Sequence, residues 1–124
     1  MKYLLDSTVL IDHFNGVDAA EAFLLEFGGV SAVSVVTVAE VLTGSLSHQV
    51  DSHELVLDQF TCFGIDLVTA KAAAALRQRH RWKMADAFQA ALALRHGLKL
   101  VTRNTKDFRP FKHPFVHVPY TLGR

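Results

Sequence analysis

The chain has 124 residues, 50% hydrophobic and 20% charged, with a single cysteine and a formal net charge of +1. That composition supports one globular core and excludes a disordered chain; no apolar run reaches the roughly 18 to 20 residues of a membrane span, and Cys62 has no partner for an internal disulfide. The near-zero charge hides a split, because positions 1–70 set ten acids against Lys2 alone, whereas positions 71–124 set twelve Lys and Arg against only Asp86 and Asp107.

Tyr3-Leu4-Leu5 predicts a short strand closed by Asp6, and Ser7 or Thr8 opens a helix carried by Val9, Leu10, Ile11 and Phe14 and stopped at Asn15-Gly16. Asp12 and His13 are expected on its solvated face. Ala19, Ala22, Phe23, Leu24 and Phe27 predict a second helix ended by Gly28-Gly29, followed by a strand over 30–34. Thr37 opens a third helix, with Glu40 three positions on, and Leu55, Leu57 and Phe60 mark a fourth. The stretch Cys62-Phe63-Gly64-Ile65 reads as a short strand in which Cys62 is a small core hydrophobe. Residues 70–76 are helical by propensity. A longer helix over 84–96 ends at Gly97, and residues 99–102 and 115–118 read as the last two strands. Strands alternating with helices imply an α/β protein, a parallel sheet covered on both faces, in one domain over 1–124. The apolar stretch at the N-terminus is too short for a signal peptide, so a cytoplasmic protein is expected, with no membrane partner.

In open α/β sheets the functional crevice lies outside the carboxyl ends of the strands. Asp6 follows the first strand, Glu40 comes after the second, Asp86 lies in the first turn of the helix before the fourth, and Asp107 closely follows the fourth. Asp86 shares a helix face with the small residues Ala90, Ala93 and Gly97, which lets that helix press close to the sheet and aims the carboxylate inward. Each carboxylate pair about 4 Å apart repels by roughly 1 to 4 kcal/mol, and a divalent cation removes that cost. All-oxygen ligands favour Mg2+ or Mn2+ over zinc. Such an ion lowers the pKa of a water and stabilises charge on a phosphoryl group, which makes metal-assisted phosphodiester hydrolysis the expected reaction class. Each acid also has a plain structural use. Asp6 stands where it can cap the first helix, Thr37-x-x-Glu40 has the spacing of a capping box, Asp86 suits a helix macrodipole, and Asp107 can cap a loop. Their joint placement on one sheet edge favours the site.

Four stretches taken together, Tyr3-Leu4-Leu5-Asp6-Ser7-Thr8-Val9-Leu10-Ile11, Ser34-Val35-Val36-Thr37-Val38-Ala39-Glu40-Val41, Met84-Ala85-Asp86-Ala87-Phe88-Gln89-Ala90-Ala91 and Leu100-Val101-Thr102-Arg103-Asn104-Thr105-Lys106-Asp107-Phe108, resemble a PIN domain. The likeness is greatest to the VapC-type toxins of bacterial and archaeal toxin–antitoxin pairs, and it spans nearly the whole chain. It implies a three-layer α/β/α sandwich, a Mg2+- or Mn2+-dependent endoribonuclease and a cognate VapB-like antitoxin that blocks the acidic pocket; a homodimer is expected as well, with the apolar stretches Val9 to Phe14 and Val38 to Leu46 open to antitoxin binding or dimerisation. Carried over by position, the acidic quartet of the family falls on Asp6, Glu40, Asp86 and Asp107. The chain departs from the pattern twice. Ser7-Thr8 replaces a Thr-Asn pair, so a hydroxyl is retained at Ser7 while an amide is missing. Asn104 follows Thr102-Arg103 where many relatives carry an acid, with Asp107 three positions later, so the fourth ligand is left open between Asp107 and a contribution from Asn104.

Arg77, Arg79, Arg81 and Lys83 precede Asp86, and Arg103, Lys106, Arg109 and Lys112 form a second basic stretch beside Asp107, so basic side chains flank both acids; Arg79, Arg81, Lys83, Arg103 and Lys106 are expected to hold an RNA backbone. Trp82 has two readings, stacking on an unpaired base or packing beneath the turn. His113 and His117 run through Pro114 into a predicted strand and do not read as a zinc pair. The competing functions are a catalytically silent RNA-binding PIN-like domain and a receiver-like phosphoacceptor, which would need adjacent acids after the first strand.

Overall fold

The structure, a computed structural model, describes residues 1–122. Five parallel strands stand in the order β3-β2-β1-β4-β5. They are β1 (Tyr3–Leu5), β2 (Ser31–Ser34), β3 (Thr61–Phe63), β4 (Lys99–Val101) and β5 (Val116–His117). The helices are α1 (Ser7–Phe14), α2 (Asp18–Phe27), α3 (Val35–Gly44), α4 (Val50–Leu57), α5 (Leu67–His80) and α6 (Met84–Arg95), with single 3-10 turns at Gly28–Val30 and Ser47–Gln49. Among the described residues no helix is long and apolar enough to cross a membrane.

Alternation along the strands builds the three layers. Leu4, Ala32 and Leu100 enter one core with Ala90, Ala93, Trp82 and Phe108, on the side of α6. Their neighbours Tyr3, Leu5, Val33 and Val101 enter the opposite core with Val9, Leu10, Phe23 and Val41, on the side of α1 to α3. Both faces of the central strands are thus dry, as a period-two backbone covered by helices requires. The small Ala row on α6 does bring that helix close, since Ala87, Ala90 and Ala93 have no solvent exposure. Gly97 ends the α6 segment at φ +66°, a left-handed position that a residue with a Cβ rarely adopts.

Element boundaries move by at most three residues from those expected, apart from α4, which begins five residues before Leu55 and ends before Phe60, and α5, which extends the predicted 70–76 core in both directions. Three expectations are corrected. Helix α3 begins at Val35, and its N-cap is Ser34, whose hydroxyl accepts from the Thr37 N–H at 3.2 Å, so Thr37-x-x-Glu40 is not a capping box and Glu40 lies beyond the first turn. Cys62 is exposed on the edge strand β3, where only one neighbouring strand covers it. Asp12 is buried at 5% exposure instead of facing water, and His13 is partly buried; their side of α1 is covered by Arg103 and Tyr120.

Candidate active site

The strand order reverses between β1 and β4, and Asp6 and Thr102 immediately follow those two strands. This is the switch point at which a parallel sheet opens a crevice. The Asp6 N–H donates to the Val101 carbonyl at 2.9 Å, which fixes the start of the loop after β1. Asp6 stands at the N-cap position of α1 but makes no side-chain cap bond. Its Oδ2 instead accepts from the Thr102 hydroxyl at 2.8 Å and from the Thr8 hydroxyl at 3.2 Å. Ser7 is buried beside it, and the hydroxyl that reaches the carboxylate is that of Thr8.

Asp86 sits half-buried in the first turn of α6. Its carboxyl is pushed up to about 6, by burial first and then by the negative charges of Asp6, Asp107 and Glu40, with Lys83 pulling weakly the other way. Acids from three other elements therefore lie near enough to act on the Asp86 carboxyl. Asp107 is braced by Asn104, whose Nδ2 donates to Oδ2 at 3.1 Å and whose Oδ1 accepts from the Asp107 N–H at 3.4 Å. The Asn104 amide is thus spent on the carboxylate beside it. Glu40 is exposed on α3. Among the described residues no three acidic, histidine or cysteine side chains come together closely enough to hold a metal ion in this arrangement.

Beneath the acids lies a buried polar network that sequence reasoning missed. Gln89, 1% exposed, donates from Nε2 to the Thr37 hydroxyl at 2.7 Å and more loosely to Asp6 Oδ1 at 3.5 Å, while its Oε1 accepts from Ser34 at 2.7 Å. The Thr37 hydroxyl donates to the Leu5 carbonyl at 3.0 Å. The network ties β1, the β2–α3 junction and α6 together under Asp6. Its one sequence signal was a lone glutamine within the run of small apolar residues from Ala87 to Ala93.

The basic residues divide. Arg79, Arg81, Lys83 and Lys106 are exposed. Arg103 is committed to Asp12, with Nε to Oδ2 at 2.6 Å and Nη2 to Oδ1 at 2.8 Å, and Tyr120 donates to the same carboxylate at 2.9 Å. Burial pushes Asp12 up, but the bonds from Arg103 and Tyr120 outweigh it and hold the carboxyl below its ordinary range. Trp82 is packed at 5% exposure and donates its indole N–H to the Asp107 carbonyl at 3.1 Å.

The fold is matched in known proteins. A chain in a toxin–antitoxin complex from Klebsiella pneumoniae superimposes with a TM-score of 0.90 at 36% identity, over 98% of this chain and 100% of that one. FitAcB from Neisseria gonorrhoeae superimposes at 0.79 with 24% identity, over 97% and 99% of the two chains. DNA-bound VapBC from Salmonella typhimurium does so at 0.76 with 20% identity, over 87% and 90%. These last two share the fold. No curated protein matches the sequence significantly. The family model for the PIN domain covers residues 3–113, and with the Klebsiella relative matched along its whole length, the chain belongs to the PIN-domain family.

Proposed function

We propose that the protein is a metal-dependent endoribonuclease, the toxin of a toxin–antitoxin pair, hydrolysing RNA phosphodiesters with water as the nucleophile and Mg2+ or Mn2+ as cofactor. The observation that carries this reading is the Asp86 carboxyl, opposed by Asp6, Asp107 and Glu40 from three other elements. Such a cluster works against folding and has a use only where a cation is held.

The donor set fits a hard cation. Asp6, Glu40, Asp86 and Asp107 offer oxygen alone, and among the described residues none of them is paired with a lysine or arginine. When bound, the ion supplies a Lewis acid and an acidified water. The side chains of the protein supply the rest. The Thr102 and Thr8 hydroxyls share Asp6 Oδ2, which fixes the orientation of that carboxylate. Asn104 fixes Asp107 in the same way. Arg79, Arg81, Lys83 and Lys106 draw the RNA backbone to the acidic edge and offset its repulsion. Arg103 contributes through Asp12, by anchoring the loop after β4 to α1.

The relative of 36% identity belongs to a toxin–antitoxin complex, which supports a VapB-like antitoxin as partner. Homodimerisation and a cytoplasmic site of action belong to the same reading. A receiver-like phosphoacceptor lacks support, because Asp66 after β3 is occupied as the cap of α5, accepting from the Thr69 N–H at 2.9 Å, and pairs with Arg95.

The test is cleavage of a structured RNA by the purified protein in Mg2+ or Mn2+. Asp6→Asn, Asp86→Asn and chelation should each lower the rate by at least about 100-fold, and the products should carry 5′-phosphates. Cleavage that persists in both variants would overturn the reading.

A further inference from the structure

We infer that the cavity walled by His80, Trp82, Arg109, Lys112 and His113, beside Asp107, is a nucleotide subsite that takes a backbone phosphate and an adjoining base of the RNA strand next to the bond being cut. The inference rests on the ribonuclease reading above and adds a site to it. The cavity has a volume of about 380 Å3, room for a nucleotide.

Its chemistry is that of an anion site with aromatic walls. Arg109 and Lys112 are exposed, and among the described residues neither is paired with a carboxylate. The chain turns so that both face the same space, since the Arg109 carbonyl accepts from the N–H groups of Lys112 and His113, each at 3.0 Å. The His80 ring stacks on the Trp82 indole at 4.2 Å and 18°, and His113 meets both rings edge-on at 5.1 Å. Burial, His80 and Lys112 all lower the His113 pKa, which favours the uncharged ring, a flat surface of the kind on which bases stack.

The charges of the cavity favour an anion, because Arg109 and Lys112, two full cations lining one space, repel one another unless a negative group lies between them. The turn that folds His80 back over Trp82 passes through Arg81 in the left-handed region, φ 59° and ψ 29°, the one described non-glycine residue at positive φ; this costs on the order of 1 kcal/mol. The link to the catalytic edge is direct. The Trp82 indole donates to the Asp107 carbonyl, so a nucleotide in the cavity lies against the residue that closes the acidic cluster. Asp107 is the only acidic wall among the described residues, and its Oδ2 accepts from Asn104.

Trp82 is the only tryptophan in the chain, so the tryptophan emission of the protein comes from a wall of this cavity. Adenosine 5′-monophosphate, titrated into the protein in excess chelator, should change that emission saturably, and inorganic phosphate should compete. The variant Arg109→Gln/Lys112→Gln should bind the nucleotide at least about 10-fold more weakly and raise KM for RNA by a similar factor, with kcat within about twofold. Lys71→Gln, near the far end of α5, should leave both unchanged. The inference is overturned if the nucleotide leaves Trp82 unperturbed, if the double variant binds it as well as the parent does, or if Lys71→Gln weakens it equally. Nucleotide binding without RNA cleavage would instead retain the subsite and reject the ribonuclease.

Discussion

Arg103 grips the buried carboxylate of Asp12 with two N–H groups, Nε to Oδ2 at 2.6 Å and Nη2 to Oδ1 at 2.8 Å, and so pins the loop that follows β4 to the outer turns of α1. The next residue along the loop, Asn104, braces Asp107, and the preceding one, Thr102, orients Asp6. One ion pair therefore sets the spacing of two candidate ligands.

Removing either member of this pair should have unequal costs. Arg103→Met leaves Asp12 buried with only the Tyr120 hydroxyl, and should destabilise the protein by about 2 to 3 kcal/mol at pH 7. Asp12→Asn frees a guanidinium that is 36% exposed and can reach water, and should cost about 1 to 2 kcal/mol. The pH dependence follows from the depressed Asp12 carboxyl. Its contribution is fully present above the unfolded value of roughly 3.9 and is lost as pH falls through the lower folded value. The gap between parent and Arg103→Met should thus be small near pH 3 and widest above pH 6, as measured by urea unfolding across that range.

Asp86 has the opposite sign. Its folded value of about 6 lies above the unfolded one, so the native state holds more protons between the two, and stability falls as pH rises through that window. With the half-open setting discounted, ionisation costs about 1 to 2 kcal/mol. In chelator, Asp86→Asn should melt higher than the parent at pH 8 and close to it at pH 4. Added Mg2+ should narrow the gap at pH 8 by stabilising the parent. A variant that is both more stable and inactive would mark the carboxylate as kept for chemistry.

Gln89 is expected to be a structural keystone despite carrying no charge. Gln89→Leu removes the acceptor of the buried Ser34 hydroxyl and the donor to the Thr37 hydroxyl and should cost about 1 to 3 kcal/mol, read from chemical denaturation. Gln89→Glu keeps the shape but sets a fifth carboxylate against Asp6 Oδ1 and should be worse at pH 8 than at pH 5. Equal losses at both pH values would show that Asp6 does not sense this position.

Arg79 and Arg81 should act through the RNA backbone. Their joint change to Gln should weaken binding to the inactive Asp6→Asn protein and flatten the salt dependence by about 0.7 for each phosphate of a single strand that is no longer neutralised. An unchanged slope, measured by fluorescence anisotropy between low and moderate salt, would remove the pair from the RNA surface.

The alternation of strands and helices, the helix stops at Asn15-Gly16 and Gly97, and the placement of four acids after strands or at a helix start are all legible in the amino-acid order. They follow from local rules, hydrophobic period and backbone freedom, which act over a few neighbouring residues. Other features depend on partners that no short window contains. Asp12 reads as a solvated helix residue until Arg103 and Tyr120, 91 and 108 positions away, close over it. Thr37 reads as a cap until Gln89 and the Leu5 carbonyl engage its hydroxyl. Cys62 reads as core until β3 takes the edge of the sheet. In each case the deciding partner is distant along the chain, and burial or hydrogen bonding is a property of the pair rather than of the residue.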